Sequence, residues 1–257
     1  MVDTDMTSAN PQLKTNELLD KLVPSIESGE NLIGEFGLRV VIREAKKIPD
    51  AYQSLLVIGL AEIVGGNYVA AMETHRRLTL INPYNDVVWV NFSVALGQRC
   101  QYRLAREISH NSIPYVGFAG LCHAYLNAGF WGDLETMLLI KSQPIFNSCD
   151  ISSFAEKQRY DIMRCDSIFD ILMDDREESD YLFQMASLVM QIAERLKLPP
   201  RQASIHTDAE GMLIFSFGIT SDLSNNLWEL NDELASLIVD HQIFSSNSIA
   251  TFHVIGE

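Results

Sequence analysis

Residues 55–83 read LLVIGLAEIVGGNYVAAMETHRRLTLINP, and residues 89–105 read WVNFSVALGQRCQYRLA. Trp89 follows Leu55 by 34 residues in the chain. The same spacing relates three further pairs of small or aromatic residues: Gly59 and Ser93, Tyr68 and Tyr102, and Ala71 and Ala105. A fixed period of this length is typical of arrays in which each repeat is a pair of helices. The sequence therefore predicts that the chain begins with a helical repeat array.

The repeated positions resemble those of the tetratricopeptide repeat (TPR) family. In that family a unit of this length forms two antiparallel helices, with small residues where the helices cross. Gly59 and Ala71 stand at those small positions. Residues 66–68 match the turn between the helices, and Pro83 matches the proline that ends the second helix.

Two later units depart from the family pattern. The second unit has the usual tryptophan, Trp89, but residues 110–114 shorten its second helix. The third unit begins at Phe118 and has Leu134 where the family has a small residue. The resemblance covers about residues 52–141, and it implies a short array that binds other proteins.

The resemblance also implies a concave surface lined by the first helix of each unit. In this chain the corresponding residues are Leu56, Leu60, Ile63, Val87, Val90, Val94, Ala119 and His123. Most are aliphatic, so they do not suit the Lys and Asn side chains with which some TPR proteins hold a peptide carboxylate. Two possibilities follow. Either the groove accepts an apolar segment of a partner, or helices from residues 16–47 or 155–198 fill it, because burying such side chains is strongly favourable.

The hydrophobic period changes after Pro200 from that of helices to that of strands. Alternating apolar residues predict a strand over 212–219: Leu213, Phe215, Phe217 and Ile219. A shorter strand over 203–207 precedes it across a hairpin turn, and a last strand covers 249–255. Asp222 can cap a leucine-rich helix between them. The sequence therefore predicts a two-layer domain with the order ββαβ.

These patterns together predict an α+β protein in three parts. Residues 1–14 are expected to be a flexible tail, and residues 15–175 a helical TPR-like repeat domain. Residues 176–257 are expected to form a small acidic α/β domain that begins with an amphipathic helix.

An acidic run at residues 174–180 precedes that helix. Carboxylates near a helix N-terminus complement the helix dipole, and Ser179 or Asp180 can serve as the cap. A metal site formed by the run is the alternative.

The charge of the chain restricts its partners. Asp and Glu number 34 against 19 Lys and Arg, which gives a formal net charge of −15. Nucleic acid and anionic membrane surfaces would repel such a protein. The charge serves solubility alone, or it attracts a basic protein partner.

The cysteines and the N-terminal residues bear on the compartment. The four cysteines lack zinc-finger spacing, and we expect free thiols in a reducing environment. Residues 1–14 have neither a basic nor an apolar stretch of the kind that begins a secretory signal. We therefore expect a soluble cytoplasmic protein without a metal or cofactor.

The C-terminal domain carries charge of one sign. Residues 202–257 contain eight acidic residues and neither Lys nor Arg. A basic partner would relieve the repulsion among them. We therefore add four acidic residues to the apolar groove as candidate partner-binding residues: Asp222, Glu229, Asp232 and Glu233.

Catalytic motifs are absent from the sequence. There is no Walker A motif, G-x-G-x-x-G, G-x-S-x-G or H-E-x-x-H. The best enzyme-like grouping is His206 and His253, which could share a sheet face with Asp208 and Glu257. We therefore expect a non-enzymatic adaptor, chaperone or immunity-type inhibitor. An enzyme or small-ligand-binding protein with its site in the C-terminal domain is the alternative.

Overall fold

The computed structural model of the protein describes residues 11–148, 152, 154–199 and 203–255. The chain is about 71% helical, and the described residues form twelve α-helices and one three-stranded sheet near the C-terminus. This confirms the predicted α+β class. The chain divides into two compact units, residues 1–99 and residues 100–257.

The first unit contains five helices: α1 (Pro11–Ser28), α2 (Gly34–Ala45), α3 (Ala51–Val64), α4 (Tyr68–Ile81) and α5 (Asp86–Gln98). Side-chain caps begin two of them. The Asp50 carboxylate accepts hydrogen bonds from the backbone N–H groups of Tyr52 and Gln53, and Asn85 accepts one from Val87. These acceptors satisfy N–H groups that have no partner within the helix. Because α1 begins at Pro11, residues 11–14 of the predicted tail are helical.

The core of the first unit depends on a close approach at Gly59. A Cβ atom at this position would lie 2.3 Å from Phe92 Cζ and 3.1 Å from Thr74 Cγ2. Helix α3 therefore reaches α5 and α4 at this depth only because residue 59 lacks a side chain. Beside this point, the buried His75 ring packs against Phe92, with ring centroids 5.0 Å apart.

The second unit contains the other seven helices: α6 (Tyr102–Ser112), α7 (Phe118–Trp131), α8 (Leu134–Lys141), α9 (Pro144–Ser148), α10 (Glu156–Asp174), α11 (Arg176–Leu196) and α12 (Leu227–Asp240). A short 3-10 helix, Ser221–Asn226, precedes α12. The cap of α11 differs from both predicted residues. It is Asp175, whose carboxylate accepts a hydrogen bond from the backbone N–H of Glu178, so Ser179 and Asp180 lie inside the helix.

The sheet has the strand order β1 (Ala203–Thr207), β2 (Leu213–Ile219) and β3 (Ser248–Val254). β1 and β2 form the predicted antiparallel hairpin, and β3 pairs parallel to β2 after a crossover through α12. The observed order is therefore ββαβ, as predicted. Helix α11 packs against β2 and β3, and α12 packs against β3 and α11.

No helix among the residues placed by the structure has the length and apolar character needed to span a bilayer.

Candidate protein-binding surface

The predicted groove residues of the first unit differ in accessibility. Leu56, Leu60 and Ile63 on α3 are buried. On α5, Val90 is half-buried, whereas Val87 and Val94 are exposed.

Helix α1 is one of the helices that cover α3, and it packs against both α3 and α5. Its Leu18 and Leu22 are buried, and Thr15 donates a hydrogen bond to Gln53 at 2.7 Å. A cavity of about 260 Å³ remains beneath the helix, lined by Leu19, Val23, Ile26, Glu27, Leu60, Asn91 and Val94. Within the first unit, the chain itself therefore covers α3.

His123, the predicted groove residue of the second unit, lies half-buried on α7. Its Nε2 atom is buried and has no hydrogen-bond partner among the described residues. Burial lowers the pKa of this imidazole to about 4. His123 is therefore neutral at physiological pH and offers little of its polar character to a ligand.

The predicted acidic residues have different surroundings. Glu229 and Asp232 are exposed on α12. Glu233 is paired instead, because Arg195 on α11 donates to both of its carboxylate oxygens, at 2.5 Å each. Asp222 belongs to the 3-10 helix before α12, and its side chain lies outside the described set. The structure thus brings Glu229 and Asp232 together on one helix and neutralises Glu233.

The solvent-facing side of α12 combines acidic and large apolar residues. We define the α12 outer face as the exposed residues Trp228, Glu229, Asp232, Ala235, Ser236, Val239 and Asp240. Their spacing of three or four residues places most of them on one side of the helix. Trp228 is 80% exposed and Val239 is 66% exposed. The helix contains neither Lys nor Arg, so this face is apolar and negatively charged.

Sequence reasoning did not single out Trp228, although a signal was present. The buried residues of α12 are Leu230 and Leu234. Trp228 is two residues before Leu230, and in an α-helix residues two apart do not share a face. The phase of the buried leucines therefore points Trp228 away from the core.

A cavity of about 540 Å³ lies beside the start of α12. Its lining contains two cations, Arg195 and Lys197, and two carboxylates, Glu229 and Glu233. Leu198 and Leu230 contribute buried apolar surface to it. The cavity offers a ligand no net charge, in contrast to the α12 outer face.

A second carboxylate, Glu178, joins α11 to the segment that precedes β3. It accepts hydrogen bonds from the hydroxyl groups of Ser245 at 2.5 Å, Ser246 at 2.8 Å and Ser248 at 2.8 Å. The backbone N–H of Ser246 donates a further bond, at 3.1 Å. Burial raises the pKa of this carboxyl, but the four hydrogen bonds outweigh burial and set the pKa to about 2. Glu178 is therefore a charged structural contact, with its acceptors engaged inside the protein.

Arg106, which lines a cavity beside α6, forms an internal ion pair. This cavity, of about 420 Å³, is lined in part by Arg106 and Trp131. The Arg106 guanidinium lies 4.8 Å from the Phe183 ring centroid and donates hydrogen bonds to Asp133. Asp133 in turn caps α8 by accepting a hydrogen bond from the Thr136 backbone N–H. The arginine is thus held by packing and pairing and is not a free cation for an anionic ligand.

The candidate catalytic histidines share a sheet face but not a site. His206 pairs with Ile214, and Ile214 pairs with Ile249, whereas His253 pairs with Gly218. The two histidines are therefore two strands and four residues apart. At roughly 3.3 Å per residue and about 4.8 Å between strands, their Cα atoms are on the order of 16 Å apart. Glu257 lies outside the described residues, and direct proton exchange between the histidines would need a much shorter distance.

Over the residues with described positions, no group of three or more His, Cys, Asp and Glu side chains has the geometry of a metal site. The chain matches no protein-family model, no curated protein and no solved structure.

Proposed function

We propose that this protein is a non-enzymatic binding protein whose partner presents a basic, partly apolar segment to the α12 outer face. The observation that carries the proposal is the 80% exposure of Trp228 on a helix whose charged residues are all acidic. Tryptophan is one of the residue types most enriched among the hot spots of protein interfaces. A large exposed aromatic with polar surroundings is therefore a sign of a contact surface.

Electrostatics favour a basic partner over other partners. Asp232 and Asp240 form no ion pair with any described residue, so both charges are available to a ligand. Opposite charges steer association and select among partners more than they raise affinity. Val239 and Trp228 then supply the apolar contact that holds the bound state.

An adaptor, a chaperone or an immunity-type inhibitor all fit such a surface. We also propose that the first unit is related to TPR proteins. Gly59 supports this relation, because it lies at a close helix crossing, as the small residues of that family do. In this proposal the first unit is a scaffold covered by α1, and the partner docks on the second unit.

Two synthetic helical peptides would test the proposal. One combines leucine and lysine in an amphipathic pattern, and the other has the same pattern with glutamate in place of lysine. We expect the lysine peptide to bind and the glutamate peptide not to bind. The affinity for the lysine peptide should fall as salt concentration rises, because salt screens exposed charges. Fluorescence anisotropy of labelled peptides measures both affinities.

A matched pair of variants separates the α12 outer face from total charge. Asp232→Lys with Asp240→Lys changes the outer face, and Asp20→Lys with Glu30→Lys makes the same change of net charge on exposed residues of the first unit. The first variant should lose binding of the lysine peptide, and the second should keep it. Equal loss in both variants would show that only the overall charge matters, and the proposed site would be abandoned.

A further inference from the structure

Helix α2 of the first unit presents a second exposed face, of opposite charge. We define the α2 outer face as the exposed residues Leu32, Phe36, Arg39, Arg43, Lys46 and Lys47. Phe36 is 81% exposed, so α2 shares with α12 a large aromatic residue turned to solvent. Residues 39–47 contain four of the 19 Lys and Arg residues of the chain.

Part of this positive charge is free to pair with another molecule. Arg43 and Lys47 contact the carboxylate of Glu44, at 3.3 and 2.9 Å. Arg39 and Lys46 form no ion pair with the residues that the structure places. They carry the opposite charge to Asp232 and Asp240 on α12, which also form no ion pair with described residues. Glu35 and Glu44 are the acidic residues of α2. The four basic residues outnumber them, so the α2 outer face has a net positive charge.

The unpaired charges are spaced by a similar distance along α2 and along α12. At about 1.5 Å per residue, Arg39 and Lys46 are about 10.5 Å apart along α2 and its C-cap, and Asp232 and Asp240 are about 12 Å apart along α12. Phe36 precedes Arg39 by three residues, and Trp228 precedes Asp232 by four. With the helices side by side and parallel, each cation therefore faces a carboxylate, and Phe36 faces Trp228.

We propose that the α2 outer face of one copy of this chain binds the α12 outer face of a second copy. The inference rests on the proposed function, because it names the basic segment that α12 binds. Every copy carries both faces, so the same contact can join one copy to the next. Each contact covers one exposed aromatic from each copy and pairs charges that have no partner within the described part of the chain.

Charge exchange in the full-length protein tests this proposal. Arg39→Glu with Lys46→Glu makes the α2 outer face acidic, and Asp232→Lys with Asp240→Lys makes the α12 outer face basic. Between two copies of the same variant, the contact then brings like charges together. Between the two variants, the two altered faces have opposite charges, and so do the two unaltered faces. Sedimentation velocity at low and high salt measures the species.

We expect the wild-type protein to self-associate at low salt and to dissociate as salt is raised. Each variant alone should be monomeric, and an equimolar mixture should recover the self-association. A wild-type monomer at every soluble concentration, or a mixture that stays monomeric, would overturn the proposal. Self-association that persists in both variants alone would also overturn it. If the lysine peptide still binds the α12 outer face of a monomeric wild-type chain, the self-association fails while the proposed function stands.

Discussion

Arg195 on α11 holds both carboxylate oxygens of Glu233 on α12 through its Nη2 atom, at 2.5 Å to each oxygen. Asp232, the preceding residue, is exposed and makes no ion pair within the described structure. Two adjacent carboxylates of one acidic helix therefore have different roles. Glu233 joins α12 to α11, and Asp232 faces outward.

The two roles predict different effects of removing one charge. Asp232→Asn should weaken binding of the lysine peptide by about threefold to tenfold and leave unfolding unchanged, because only an intermolecular ion pair is lost. Glu233→Gln should lower the free energy of unfolding by up to about 1 kcal/mol, as is usual for an exposed ion pair, with a smaller effect on binding. Peptide titrations and urea unfolding of both variants check this. A larger binding defect in Glu233→Gln would reverse the assignment.

Gly59→Ala should destabilise the first unit. The new methyl group would lie 2.3 Å from Phe92 Cζ, and overpacking of this kind costs about 1–3 kcal/mol. Adding Phe92→Leu, which shortens the opposing side chain, should make the double variant more stable than the sum of the two single effects. Chemical denaturation of the three variants measures this coupling. Strict additivity would show that residues 59 and 92 do not meet.

Glu178 should stabilise the second unit in a pH-dependent way. Its pKa of about 2 in the folded protein lies below the ordinary value of 4.5. The stabilisation is therefore complete above pH 4.5, falls as pH decreases, and is lost below about pH 2. The shift corresponds to about 3 kcal/mol. Glu178→Gln should be less stable than wild type at neutral pH, and the difference should shrink towards pH 2 in urea unfolding. A constant difference across this range would show that the charge of Glu178 does not stabilise the fold.

His75 should make the first unit sensitive to weaker acid. The ring is buried against Trp89 and Phe92, and burial lowers its pKa from 6.5 to about 4. Its neutral form is favoured by folding, so stability is lost as pH falls from 6.5 towards 4, by up to about 3 kcal/mol.

His75→Phe keeps an aromatic ring at that site and cannot be protonated, so it should reduce this loss in unfolding experiments at pH 7 and pH 4. His123 also has a pKa of about 4 and contributes its own share in the second unit. An unchanged pH dependence in His75→Phe would show that His75 is not responsible.

The sheet was the most predictable part of the fold, because its signals are local. The alternation predicted strands over 203–207, 212–219 and 249–255, and the observed bounds differ by at most one residue at either end. The cap of α11 was not predictable in the same way. Several acidic residues in the run could cap, and Glu178 instead binds serines that are far away in the sequence.

The candidate surface was predictable in its charge and not in its details. The absence of Lys and Arg after residue 201 indicated an acidic surface directly. The pairing of Glu233 with Arg195 depends on how α11 and α12 pack, which spacing along the chain does not encode. The burial of Leu60 similarly depends on where α1 docks. Long-range packing decided which predicted residues are accessible.

Acrylamide quenching of tryptophan fluorescence, with and without the lysine peptide, tests the proposed α12 surface most directly. Trp89 and Trp131 are buried, whereas Trp228 is 80% exposed, so quenching of the free protein reports mainly on Trp228. We predict that the bound lysine peptide protects the fluorescence from the quencher and that Trp228→Phe removes the quenchable fraction. A peptide that binds and leaves the quenching of Trp228 unchanged would contradict the proposed surface, because the contact would then lie elsewhere.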